Sequence, residues 1–163
     1  MANLVIDIGN TALKAAWAEE LTLGRTYRYQ GERIMDFIIS LTAEQKPEIM
    51  VLSSVRNFSK KDVSVLKEHC GKLIVVDESV SGKYDLPEYL TPDRTASLIA
   101  ARHLFKNKGC TVFDLGAMLT VDFIDKEGKY LGGNVSLGCR TRFKSLHRYS
   151  KNLPLLQCQE EVQ

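Results

Sequence analysis

The sequence predicts an α/β fold in which one structural unit is used twice, the second time incompletely. The stretch LVIDIGNTALKAAW at 4–17 returns in form as VFDLGAMLTVDF at 112–123, which aligns Asp7 with Asp114 and Gly9 with Gly116. Strand-length apolar runs alternate with amphipathic segments of helical period, the pattern of mixed sheet and helix. With 163 residues, 44% hydrophobic and 26% charged, the chain has core enough for one sizeable domain or two small ones.

Residues 4–8 read as a short apolar strand, Gly9-Asn10 turns it, and 12–17 runs back, a hairpin built on Asp-x-Gly. A third strand is expected at 22–29, with Leu23, Arg25, Tyr27 and Tyr29 on one face. Ile34, Phe37, Ile38 and Leu41 stand at i, i+3, i+4 and i+7, an amphipathic helix stopped before Pro47, and 49–55 then reads as a buried strand. Ser59-Lys60-Lys61-Asp62 has the spacing of a capping box, for a helix through Cys70 that Gly71 would close. Residues 73–76 make another strand, and 78–90 reads as irregular. Thr91-Pro92-Asp93-Arg94 has the grammar of a helix start, with a hydroxyl at N-cap, proline at N1 and a carboxylate in the first turn; the helix should run to about Phe105.

The unit then begins again. A strand at 111–115 ends in Asp-x-Gly, 119–124 returns, Glu127-Gly128 turns, 130–135 is a third strand, and a helix follows at 141–149. The expected halves are 1–109 and 110–163, the second running out where the first goes on to two more strands and two more helices. Three strands and one helix leave an apolar face and a sheet edge uncovered, which predicts a homodimer or larger assembly.

Charge and cysteine usage narrow the function classes. A net charge of +2, with basic residues scattered among acidic ones, gives no electrostatic footprint for nucleic acid or an anionic membrane. The start MANLVIDIGNT lacks a basic segment before its apolar residues, and the longest apolar runs fall short of a membrane span, so a soluble cytoplasmic protein is expected. Cys70, Cys110, Cys139 and Cys158 lie far apart without zinc-ligand spacing, as thiols in a reducing compartment do. His69, His103 and His147 receive no role. Arg140, Arg142, Lys144, Arg148 and Lys151 accompany Phe143, Leu146 and Leu153 as the solvated face of one amphipathic helix.

The repeated turn is the chemical feature of the chain. A tight turn with glycine brings backbone N–H groups close to an anion, and a following Asn or Thr adds side-chain donors. Phosphate is the natural guest, with Asp7 and Asp114 placing cations that offset its charge. Gly-Asn and Asp-Gly also occur as plain hairpin turns with no ligand, and Asp93 would serve equally as a helix cap beside a surface Arg94.

Taken in order, DIGNT at 7–11, SSV at 53–55, Tyr84 and Pro87 ahead of Asp93-Arg94, Asp114-Leu115-Gly116, Thr120-x-Asp122, GKYLGGNVSLG at 128–138 and Leu153-Pro154 resemble the type III pantothenate kinases, and RFKSLH with NLPLL resembles their bacteroidal members. The resemblance implies a duplicated actin-like (ribonuclease-H-like) ATPase fold and transfer of the ATP γ-phosphoryl group to the hydroxyl of pantothenate. It implies that Asp7, Ile8, Gly9, Asn10, Thr11, Ala12, Leu13 and Lys14 form the ATP-phosphate loop, with Ala117 at a further ATP-contacting position. Asp93 matches the general base, and Tyr84, Thr91, Pro92, Asp93 and Arg94 match the pantothenate site. Asp114 matches the ligand of a monovalent cation, K⁺ or NH₄⁺, and Asp7 would stand near Mg²⁺ through the phosphates. ATP and pantothenate are the implied small-molecule partners. The family has glycine where this chain has Thr91, and Thr-Ala where it has Ala117-Met118. A non-catalytic actin-like module that binds nucleotide or a partner is the alternative reading.

Overall fold

The computed structural model describes residues 2–150 and 152–156; Lys151 and Cys158 lie outside the described residues. The chain divides into two compact units between Ala96 and Ser97. In the first, β1 (Asn3–Ile8), β2 (Leu13–Glu19) and β3 (Thr22–Tyr29) are followed by α1 (Ile34–Leu41), β4 (Ile49–Ser54), α2 (Lys60–Glu68), β5 (Lys72–Val75), α3 (Glu78–Lys83) and the start of α4 (Pro92–Leu104). The sheet order is β3-β2-β1-β4-β5. β1–β2 and β2–β3 pair antiparallel, whereas β1–β4 and β4–β5 pair parallel, as a mixed α/β sheet requires.

Alternation in the strands makes the core. Leu4, Ile6 and Ile8 of β1 and Met50 and Leu52 of β4 are fully buried and, as register partners of one parallel pair, share a face. Ile38 of α1 and Leu66 of α2 join them in one cluster with Leu13, Ala15 and Cys70. Each such Leu or Ile contributes about 1.5–3 kcal/mol on burial. Tyr29 and Phe37 stack with ring centroids 4.4 Å apart and fasten β3 to α1. Leu23, at the other end of β3, is exposed, beyond the reach of that core.

Helix α2 begins as expected: the Ser59 hydroxyl accepts from the Asp62 N–H, and Asp62 accepts from the Ser59 N–H. Its end differs. The helix stops at Glu68 with His69 as C-cap, and Gly71 has no left-handed backbone. Glycine stands at 71 because a Cβ there would lie 2.7 Å from the Glu48 carbonyl oxygen, while its N–H donates to the Pro47 carbonyl at 3.0 Å. The segment expected to be irregular also differs, since it opens with α3, whose cap is the Asp77 carboxylate accepting from the N–H groups of Ser79 and Val80. A six-residue helix is too short to show a periodic pattern.

The second unit contains the remainder of α4, then β6 (Cys110–Leu115), β7 (Met118–Ile124), β8 (Tyr130–Leu137) and α5 (Cys139–Tyr149). The three strands form an antiparallel meander, β6-β7-β8. The turn after β7 places Gly128 at φ +83°, where glycine is favoured. Helix α5 starts two residues earlier than expected, with Gly138 as its N-cap. Phe113, Leu115 and Phe123 stay exposed on one face of this sheet. Among the described residues no helix is long and apolar enough to cross a membrane.

Two substitutions separate steric from conformational demands on glycine. Gly71→Ala should cost about 1–3 kcal/mol through its clash with the Glu48 carbonyl, whereas Gly82→Ala, with nothing within 4 Å of its Cβ, should stabilise α3 by about 0.5–1 kcal/mol; urea denaturation reads both. The caps give a pH signature. Asp62 and Asp77 are held below the ordinary carboxylate range, first by hydrogen bonds from the Ser59 and Ser79 side chains. A depressed folded-state pKa adds stability that is present above the unfolded value and lost as pH falls through the folded one. The gap in stability between the natural chain and Ser59→Ala should therefore be widest at about pH 7 and narrow toward about pH 2.

Candidate functional site

The parallel pairing of β1 and β4 brings two polar strand ends together. Asp7 is the register partner of Ser53, and the Ser53 hydroxyl donates to Asp7 Oδ1 at 3.3 Å. Both lie on the sheet face opposite Ile6 and Leu52, since strand side chains alternate. The Val55 N–H donates to the Ile8 carbonyl at 3.0 Å and extends the ladder to the turn itself. The carboxyl ends of parallel strands are where open α/β sheets bind ligands.

Between Ile8 and Leu13 the turn of 9–12 is closed by the Gly9 N–H donating to the Ala12 carbonyl at 3.1 Å. Ile8, Ala12 and Leu13 bury their side chains in the core, so Asn10, Thr11 and Lys14 are the side chains the loop exposes. Gly9 has an ordinary backbone, and a Cβ there would meet only the Ala12 carbonyl, at 3.6 Å. The polypeptide itself does not require glycine at this position.

Three residues without a role in the sequence reading join this turn. Ser53 touches Asp7. Ser54 closes a local loop, its hydroxyl donating to the Arg56 carbonyl at 2.9 Å and accepting from the Arg56 N–H at 3.0 Å. Arg56 Nη2 in turn donates to the Asn10 carbonyl at 3.3 Å. The signal that could have found them is a buried apolar strand, 49–52, ending abruptly in Ser-Ser.

The second group of expected site residues surrounds the start of α4. Tyr84 is the C-cap of α3 and half exposed, and Thr91 immediately precedes α4, its carbonyl accepting from the Thr95 N–H at 2.9 Å. Pro92 is the first helical residue, where its missing N–H costs nothing. Asp93 is half-buried in the first turn, and its Oδ1 accepts from the Arg94 N–H at 3.0 Å. Arg94 is buried. The buried hydroxyls of Ser81 and Thr95, 3.1 Å apart, tie α3 to α4 and so hold Tyr84 and Asp93 on one scaffold. Neither hydroxyl had been singled out from the sequence.

In the second unit Asp114, next to last in β6, pairs with Thr120, and the Gly116 N–H donates to the Met118 carbonyl at 2.9 Å. The two repeated turns are unequal: Ile8 pairs with Leu13 but Leu115 pairs with Leu119, one residue sooner. The Ala117 carbonyl accepts from the Gly138 N–H at 3.0 Å and from the Thr141 hydroxyl at 2.7 Å, which docks the start of α5 on the turn. A Cβ at Gly138 would overlap the Gly116 carbonyl. Asp122, fully buried, accepts from the Tyr130 hydroxyl at 2.9 Å. Among the described residues no group of three His, Cys, Asp or Glu side chains gathers to hold a metal. Single carboxylates such as Asp7 and Asp114 fit cations whose remaining ligands are phosphate and water, as Mg²⁺ takes them.

Known proteins are similar to this chain. The type III pantothenate kinase of Azobacteroides pseudotrichonymphae is 31% identical over 157 residues, covering 94% of this chain and 64% of its own length. That of Cytophaga hutchinsonii is 34% identical over 168 residues, covering 98% of this chain and 67% of its own. The chain thus spans about two thirds of the length of these curated relatives. Among solved structures, the activator of the 2-hydroxyisocaproyl-CoA dehydratase from Clostridium difficile, with bound ADPNP, is similar over 95% of this chain and 54% of its own, with TM-score 0.51 and 15% identity. That likeness is one of fold, the actin-like α/β fold that the family resemblance implied. Since the family model for type III pantothenate kinase also matches residues 3–163, and the polar turn, the strand-end serines and the Asp93 helix start all fall within it, the chain belongs to the type III pantothenate kinase family.

Proposed function

We propose that the chain phosphorylates pantothenate to 4'-phosphopantothenate at the expense of ATP, the first step of coenzyme A synthesis. The observation that supports it most directly is the turn of 9–12 at the carboxyl ends of β1 and β4: its glycine is not demanded by its own backbone, and a phosphate group is what an absent Cβ there would admit. Asp7, Ile8, Gly9, Asn10, Thr11, Ala12, Leu13 and Lys14 would line the phosphates, with the buried Ile8, Ala12 and Leu13 contributing backbone only.

In this reading Tyr84, Thr91, Pro92 and Arg94 position pantothenate, and Asp93 accepts the proton of its hydroxyl as that oxygen attacks the γ-phosphorus and ADP leaves. A phosphoryl transition state is loose, so the carboxylate orients the hydroxyl and takes its proton late. Mg²⁺ near Asp7 and K⁺ or NH₄⁺ at Asp114 would offset phosphate charge. We take the two halves to be 1–109 and 110–163, each with its own Asp-x-Gly turn. The setting is cytoplasmic, and the assembly a homodimer, for which the exposed Phe113, Leu115 and Phe123 on one sheet face offer apolar surface.

One observation favours a second reading, a non-catalytic module that binds nucleotide or a partner. Ala117 brings no hydroxyl to the second turn, and its carbonyl already serves Gly138 and Thr141. Coupled detection of ADP and phosphopantothenate, with potassium varied, separates the two. The kinase reading expects turnover that Asp93→Asn lowers about a hundredfold to ten-thousandfold, the usual weight of a general base. Turnover no greater than that of the variant would leave the binding module.

A further inference from the structure

Arg56 follows the Ser53-Ser54 strand end, is exposed, and reaches across to the ATP-phosphate turn through one guanidinium nitrogen, Nη2, on the Asn10 carbonyl at 3.3 Å. Its backbone is fixed at both ends of the residue by the Ser54 hydroxyl, so the side chain starts from a set position. Among the described residues its guanidinium has no carboxylate within ion-pair distance and no other hydrogen bond. A guanidinium has five donors in a fixed fork, so one bond to a carbonyl leaves most of its capacity unused. Planar paired donors with permanent charge suit phosphate oxygens better than any other side chain.

We propose that Arg56 binds the phosphate chain of the nucleotide held at the turn of 9–12. It is a phosphate-binding residue beyond the Asp7–Lys14 loop, and the proposal rests on the kinase reading above. The Asn10 carbonyl holds the guanidinium beside the turn before ligand arrives, so little side-chain entropy remains to be lost on binding. The positive charge would then act together with the backbone N–H groups of the turn, as cationic side chains do on transferring phosphoryl groups.

Calorimetric titration of ATP, AMP and adenosine into the full chain, repeated across ionic strengths, tests this. Arg56→Gln should weaken ATP by about tenfold to a hundredfold, the range for losing a hydrogen bond to a charged group, leave adenosine nearly unchanged, and flatten the salt dependence of ATP affinity. Arg56→Lys should keep the salt dependence and lose part of the affinity. Circular dichroism of an exposed-residue variant should match the natural chain. Equal ATP affinity in Arg56→Gln, or equal weakening of ATP and adenosine with the salt dependence intact, would overturn the proposal and leave the kinase reading standing. Failure of the natural chain to bind ATP at all would overturn both.

Discussion

The parallel pairing of β1 with β4 carries the first unit. On one face of that pair Leu4, Ile6 and Ile8 meet Met50 and Leu52 and form the floor on which α1 and α2 pack. The other face carries the register partners Asp7 and Ser53 at the end of the ladder. A slip of one residue would exchange the two faces, sending Asp7 into the apolar cluster and Ile6 to the polar side. Core formation and construction of the polar turn are therefore the same event. Pairing across the intervening β2, β3 and α1 is non-local, so it depends on the hydrophobic gain of the whole sheet rather than on any local turn preference.

Polar groups at the strand ends are satisfied locally, which explains why the candidate site has a defined shape. The Gly9 N–H closes its own turn, the Ser54 hydroxyl closes another around Arg56, and the Ser81 and Thr95 hydroxyls satisfy each other inside the packed junction of α3 and α4. Buried or half-buried polar groups left without such partners would cost more than these bonds contribute. The side chains left exposed at and beside the turn, Asn10, Thr11, Lys14 and Arg56, all carry hydrogen-bond donors, the kind of group that suits an anion.

The two copies of the Asp-x-Gly unit have diverged in mechanics as well as in sequence. The first turn is longer by one residue and meets a parallel strand end; the second is shorter and meets the first turn of α5 through Gly138 and Thr141. An alanine at 117 suits that contact, because it is the backbone carbonyl and not a side chain that α5 engages. Duplication accounts for the strand order within each copy, and the neighbours of each turn account for its chemistry.

The sequence by itself determined the period of the elements and the place of the repeated turns. Alternation in β1, the 3.6-residue period of α1 and the capping box at Ser59 act over a few neighbours and survive as a written pattern. The segments implied by the family resemblance, 7–14 and 84–94, could likewise be placed by their residues alone. Only the tertiary structure decided that Ser53, Ser54 and Arg56 stand beside Asp7 and Asn10, because residues 46 positions apart meet through sheet register. It also decided why Gly71 is glycine, since the clash it avoids is with Glu48, the residue just before β4. Periodicity records which face of an element seeks burial; which polar ends that burial aligns is fixed by pairing between elements, and that information lies in no single stretch of the chain.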